Sequence, residues 1–156
     1  HAGAHVTAVT SHRNADWMSE IGADDIIDYT KTDFTTGKTP YDIVFDCYGN
    51  RSFAKTKRVL TEQGIYISTI PSARNYTTTA ANPFRSQKSR VVVVRSKSKD
   101  LHAINQLIEA GALKPIIDSR FAFTEFHKAY EKLETKRAKG KIIVQFKDGE
   151  TSPTKT

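Results

Sequence analysis

Short β-rich runs alternate with helical segments along nearly the whole chain, and that alternation most limits what the chain can fold into. Segments 5–10, 25–28, 41–46, 64–69, 90–95, 113–118 and 140–146 read as strands. Segment 14–21 reads as a helix closed by Gly22, and 52–60 as a second. A third is capped by Ser98, runs to Ala110 and stops at Gly111. The last is capped by Thr124, with Phe126, Ala129, Tyr130 and Leu133 at the spacing of a buried stripe. Parallel strands need crossovers of this length, so the pattern predicts an α/β fold with a parallel sheet and flanking helices, of Rossmann type.

The run "YDIVFD" (41–46) is apolar enough to be covered on both faces, and "RVVVVR" (90–95) reads as a strand throughout. Residues 29–40 form a turn-rich loop with room for one helical turn, and 71–89 a polar connection with Pro71 and Pro83. The last ten residues have nothing to bury and are expected to be mobile.

A chain of 156 residues with 38% hydrophobic and 26% charged residues is expected to form a globular domain with an ordinary core. No window approaches the ~18 apolar residues of a membrane-spanning helix, so no membrane partner is expected. Cys47 is the only cysteine, which excludes an internal disulfide and suits a reducing, cytoplasmic setting. The net charge of +7 is spread over several short stretches (85–90, 95–100, 136–141) rather than gathered with aromatics, and a nucleic-acid role is set aside on that ground. The five histidines and Cys47 show no metal-ligand spacing, so no metal site is expected.

Five blocks stand in order: "GAHVTAVTSHRNADWMSEIGADDIIDYTKTDF", "YDIVFDCYGN", "GIYIST", "LIEAGALKPIID" and "KRAKGKIIVQF". Together they cover residues 1–146, and the chain resembles the medium-chain dehydrogenase/reductase superfamily in its zinc-independent quinone oxidoreductase branch. The resemblance implies that residues 1–118 are a partial NAD(P)-binding Rossmann domain that lacks its first strand and glycine-rich turn. It implies that 119–146 are a C-terminal helix and strand that return to a catalytic domain preceding this chain, with 147–156 a disordered tail. The chain opens on His1 rather than methionine, which fits a piece of a longer protein. With the central strand missing, strands 5–10 and 25–28 should fall on one side of a gap and strands 41–46, 64–69 and 90–95 on the other. Strand 140–146 is then expected to be free to pair elsewhere.

In dinucleotide-binding folds an acid at the end of the second strand bonds the adenosine ribose, whereas a nearby basic residue accepts the 2′-phosphate of NADP. The first strand present here ends instead in Ser11, His12 and Arg13. Ser11 can bond a phosphate oxygen and Arg13 can pair with it through its planar fork, which points to NADPH. The alternative is that Ser11 only caps the next helix and Arg13 is a solvated cation. Tyr29 resembles the family tyrosine that reaches the same region. In "DCYGN", Cys47, Tyr48 and Gly49 end a strand where backbone can approach a ligand, or else form an ordinary turn. By resemblance Ser68, Thr69 and Pro71 line the nicotinamide and Lys141 lies near the cofactor.

The implied activity is hydride transfer from NADPH to a quinone or an α,β-unsaturated carbonyl, with no catalytic residue identifiable in this stretch and the isolated chain inactive. The 90–95 strand is expected to serve as the edge of a homo-oligomer. A non-catalytic nucleotide-binding or structural remnant is the alternative, with a basic nucleic-acid-binding domain behind it.

Overall fold

Every strand pairing is parallel, as the alternation of strands and helices requires. The structure is a computed structural model that describes residues 2–146. In it β1 (Thr7–Thr10) pairs with β2 (Asp25–Asp28), and β4 (Leu60–Ser68) lies between β3 (Tyr41–Asp46) and β5 (Lys88–Val91). A third sheet joins β6 (Ile117–Ala122) to β7 (Lys141–Gln145). The helices are α1 (Ala15–Glu20), α2 (Phe53–Thr56), α3 (Ala73–Ala80), α4 (Ser98–Glu109) and α5 (Phe126–Glu134). The chain divides into two compact units, Ala2–Ser96 and the residues from Lys97 onward.

In the first unit β1–β2 and β3–β4–β5 are separate sheets, and no described strand bridges β1 to β3. This is the grouping expected of a sheet without its central strand. The core gathers on β4, where Leu60 and Tyr66 pack with Phe53 of α2 and with Val44 of β3. The Phe53 and Tyr66 rings lie 6.4 Å apart and tilted by 60°. Each such side chain, fully buried, contributes about 1.5–3 kcal/mol. Helix α1 ends at Gly22 (φ +106°), where Ala23 N–H donates to the Met18 carbonyl and Gly22 N–H to the Ser19 carbonyl, satisfying the last carbonyls of the helix.

Several sequence expectations are corrected here. Strand β3 is covered on one face only: Val44 meets the core while Ile43 and Phe45 are more than half exposed. The helix expected over 52–60 is the four-residue α2 and a 3-10 turn at Lys57–Val59, after which β4 begins at Leu60. The supposed connection 71–89 contains α3. Ser72 Oγ accepts from Asn75 N–H at 3.2 Å, while Thr78 and Thr79 donate their hydroxyls back to the Arg74 and Asn75 carbonyls. Threonines of that kind favour turns over helices, which hid the element. The run 90–95 is a strand only to Val91, because β4 ends at Ser68 and the last bond it can accept comes from Val92 N–H. Val93 and Val94, beyond the end of the strand, are left exposed.

The second unit begins with α4, whose N-cap is Lys97; Ser98 is its first helical residue and makes no cap bond. Thr124 likewise lies inside a 3-10 turn, Phe123–Glu125, and the N-cap of α5 is Glu125. Of the expected stripe only Ala129 is buried, and Phe126, Tyr130 and Leu133 are exposed. The strand expected at 113–118 is shifted to 117–122. Strand 140–146, expected to be free, is β7 and pairs with β6, the register running from Ile117 opposite Lys141 to Ala122 opposite Gln145. Gly140 is required there, since a Cβ would fall 2.4 Å from the Ile116 carbonyl oxygen. The expected tail, 147–156, lies outside the described residues.

Candidate functional site

Parallel pairing brings the ends of neighbouring strands to one edge, and open α/β sheets bind ligands at that carboxyl edge. At the end of β1, Thr10 stands opposite Asp28, and Tyr29 N–H donates to the Thr10 carbonyl at 3.0 Å. Ser11, Arg13 and Tyr29 therefore follow directly on the paired ends of β1 and β2. The Ser11 backbone is extended, its carbonyl accepts from Asn14 N–H at 2.9 Å, and its hydroxyl makes no cap bond. Ser11 is thus the N-cap residue of the 3-10 turn His12–Asn14 by position, with its hydroxyl free of a cap bond. Arg13 and Tyr29 are exposed.

Sequence reasoning passed over Asp28, which the register places across from Thr10. Its Oδ1 accepts from the Thr30 hydroxyl at 2.7 Å and the Thr30 N–H at 3.0 Å. These bonds, the hydroxyl first, hold the carboxyl below its usual range, with Lys31 and His12 assisting. Its other oxygen is buried without a hydrogen-bond partner. An anion docking at this edge meets Arg13 and a carboxylate already engaged by Thr30.

The second edge is built by β3 and β4, where Asp46 stands opposite Ser68. Asp46 Oδ1 accepts from Tyr48 N–H at 3.0 Å and Gly49 N–H at 2.7 Å, which turns the chain just after β3. Tyr66 Oη lies 2.9 Å from both Asp46 Oδ2 and the Arg51 carbonyl, and its single proton serves one at a time. Burial, then the neighbouring Asp46, pushes this phenol up to about 12, so it stays a neutral donor. Gly49 has φ +81°, and a Cβ there would come 2.7 Å from Ile70 Cγ1. Only glycine allows the turn at 46–50 to lie against the segment after β4.

That segment is fixed from the inside. Ser68 is fully buried, and its Oγ accepts from Ile70 N–H and from Asn75 Nδ2, both at 3.2 Å. Asn75 Nδ2 also donates to the Ile70 carbonyl at 2.8 Å. Ser68 therefore shapes the loop, while Thr69 ties it to the neighbouring one, donating its N–H to the Asp46 carbonyl at 3.1 Å and its hydroxyl to the Cys47 carbonyl at 3.4 Å. The structure brings Cys47 against Thr69 and Gly49 against Ile70, with Ser68 and Pro71 on the same segment as Thr69 and Tyr48 exposed beside them. Asn75 and Tyr66 hold that junction, and no motif in the sequence marked them. Cys47, read from sequence as part of a buried strand, is exposed one residue beyond β3, and burial of its sulfur and the nearby Asp46 push its thiol up. A raised thiol pKa leaves little thiolate for nucleophilic chemistry.

Lys141 belongs to the second unit, as the first residue of β7, where its N–H donates to the Ile116 carbonyl at 2.7 Å. Among the described residues no group of three or more His, Cys, Asp or Glu side chains could hold a metal ion. No described helix is long and apolar enough to cross a membrane.

Comparison with known proteins agrees with this architecture. Residues 21–144 match the family described as zinc-binding dehydrogenase. The chloroplastic quinone-oxidoreductase QR1 of Triphysaria versicolor is 33% identical over 147 residues, covering 90% of this chain and 45% of that protein. The chloroplastic NADPH-dependent alkenal/one oxidoreductase of Arabidopsis thaliana is 32% identical over 148 residues, covering 92% of this chain and 34% of that one. The structure of the quinone oxidoreductase from Coxiella burnetii superposes with a TM-score of 0.72 at 25% identity, over 93% of this chain and 46% of that one. The chain thus spans less than half the length of these relatives. The order of its parallel strands, the two loop-lined carboxyl edges and the match over most of its length make it a member of the zinc-binding dehydrogenase family, within the medium-chain dehydrogenase/reductase superfamily.

Proposed function

We propose that this chain is the cofactor-binding part of an NADPH-dependent oxidoreductase that reduces a quinone or an α,β-unsaturated carbonyl. The observation that carries the reading is the segment after β1, where Ser11 has a hydroxyl without a cap bond, Arg13 is an exposed cation, and residues 10–13 include no acid of the kind that bonds the ribose of NADH. Similarity to a quinone oxidoreductase and to an NADPH-dependent alkenal/one oxidoreductase supports it. In this reading residues 1–118 bind the dinucleotide, 119–146 return to a catalytic domain elsewhere in a longer protein, and the substrate cleft is completed there. The zinc-independent branch is part of the proposal, since the histidines and Cys47 lack metal-ligand spacing. The lone thiol fits a reducing compartment; the plant relatives are chloroplastic, so the cytoplasm is not singled out.

When bound, the nicotinamide supplies the hydride. Arg13 and Ser11 would hold the 2′-phosphate, with Tyr29 beside them. The turn at Gly49 and the segment Thr69–Pro71 would border the nicotinamide end, with Ser68 and Asn75 keeping that segment in place. Lys141 is proposed near the cofactor by resemblance. A homo-oligomer assembled along the margin of β5 that no described strand pairs belongs to the same reading.

Titration of the purified chain with NADPH and NADH, monitored by cofactor fluorescence, tests the reading. Arg13→Ala should weaken NADPH by the worth of a charge-assisted bond, about 1.5–3 kcal/mol or roughly 10- to 150-fold, and leave NADH unchanged. Asp28→Asn should strengthen NADPH. Equal affinity for both cofactors in the unaltered chain refutes the phosphate pocket.

A further inference from the structure

We propose that a cleft between α2 and α3 binds a doubly charged oxyanion of the phosphate class, independently of the cofactor reading. The cleft encloses about 350 Å³, and its lining includes Ser52, Phe53, Lys57, Arg74, Thr78 and Arg85. Three of these are cations and no carboxylate lines the space. Among the described residues none of the three forms an ion pair; the carboxylates that pair with cations do so elsewhere.

Arg85 is the built element. Its guanidinium carbon lies 4.4 Å over the centroid of the buried Phe53 ring. Its Nη2 donates to the Thr78 carbonyl and lies 3.4 Å from Asn82 Oδ1, and its Nε is buried with no partner. This charge is partly desolvated and oriented but not neutralised, an arrangement that is costly until a counter-ion arrives. Gln87 steadies the turn that carries Lys57, donating from Nε2 to the Lys57 carbonyl at 2.8 Å. The Thr77 and Thr78 hydroxyls are committed to the Arg74 carbonyl at 3.0 and 2.6 Å. The available donors are therefore the two guanidinium groups, the Lys57 ammonium and the Ser52 hydroxyl, which makes no cap bond.

Three cations around one small space exceed what a single carboxylate balances. A phosphate group carries about −1.5 to −2 near pH 7 and offers several oxygens to planar guanidinium forks.

The test titrates the purified chain with inorganic phosphate and, separately, glycerol 3-phosphate, with chloride holding ionic strength constant, and follows backbone and arginine Nε–H resonances by NMR. The expected dissociation constant is of order 1 mM or tighter. Lys57→Gln and Arg74→Gln, both at exposed positions, should each weaken binding about tenfold, and Arg85→Gln at least as much, whereas Lys99→Gln, exposed on α4, leaves it unchanged. Tighter binding of the ester identifies a phosphorylated small molecule as the source, and equal binding identifies free phosphate. The proposal is overturned if no saturable response is seen at the Arg85 Nε–H at about ten times that concentration, if that response persists in the Lys57→Gln/Arg74→Gln double variant, or if it vanishes in Lys99→Gln.

Discussion

Replacing Gly49 with alanine should destabilise the Ala2–Ser96 unit by about 2–5 kcal/mol, from two separable sources. At φ +81° an L-residue pays roughly 1–2 kcal/mol for left-handed backbone. The new Cβ would also meet Ile70 at 2.7 Å from Cγ1, 3.1 Å from Cβ and 3.4 Å from Cγ2. Cγ1 and Cγ2 both branch from Cβ, so a χ1 rotation that clears one does not clear the other, and overpacking of about 1–3 kcal/mol, carried by these two atoms, remains. Urea unfolding followed by circular dichroism measures the sum, and Ile70→Ala divides it. In the Gly49→Ala/Ile70→Ala double variant the steric part should be recovered while the backbone part stays, giving a coupling energy of about 1–3 kcal/mol. Gly22→Ala is the control for strain alone, since φ is +106° there and nothing lies within 4 Å of its added Cβ. A Gly49→Ala protein within about 0.5 kcal/mol of the parent, or strict additivity with Ile70→Ala, would refute the reasoning.

Asn75→Ala should cost about 1–3 kcal/mol in the same urea assay, because it leaves the Ile70 carbonyl and Ser68 Oγ without their shared donor; amide exchange at Ile70 should quicken. Tyr66→Phe tests the alkaline limb. The folded phenol titrates at about 12 against 10.0 ordinarily, so its stabilisation is whole below pH 10 and lost as pH rises through 12, and the variant should lose less stability over that window. Asp118 has the opposite sign. Lys132 first, then the Lys139 N–H, hold it at about 2, so its contribution is present above pH 3.8 and lost as pH falls toward 2. Lys132→Ala should move acid unfolding of the β6–β7 unit to higher pH, read by circular dichroism.

What the sequence disclosed followed from local pattern. Asp25–Asp28 and Tyr41–Asp46 form strands at the expected positions because short apolar runs between turn residues have few other uses. The positive φ of Gly22 and Gly111 was legible for the same reason, as helices commonly stop on glycine. What failed depended on partners distant in the chain. "RVVVVR" has strand propensity throughout, but a strand extends only as far as its neighbour, and β4 ends at Ser68. Ser98 and Thr124 are good cap residues by type, yet the caps fall one residue earlier, at Lys97, and one residue later, at Glu125. At the site, the order of the loops was legible because parallel strands bring their ends to a common edge. The hydrogen bond of Asn75 to Ser68 and the fit of Gly49 against Ile70 were not, since each depends on how two segments meet.

Strand β4 alone, among the described strands, is bonded along both margins. Its neighbours can each be peeled off by breaking a single ladder, whereas extracting β4 severs two and uncovers Leu60, Tyr66 and Ser68 together. Disassembly of this sheet therefore has a preferred sequence, outer members first and the middle one last. An alteration in 64–68 would reach both loops of the β3–β4 edge before it reached the solvent.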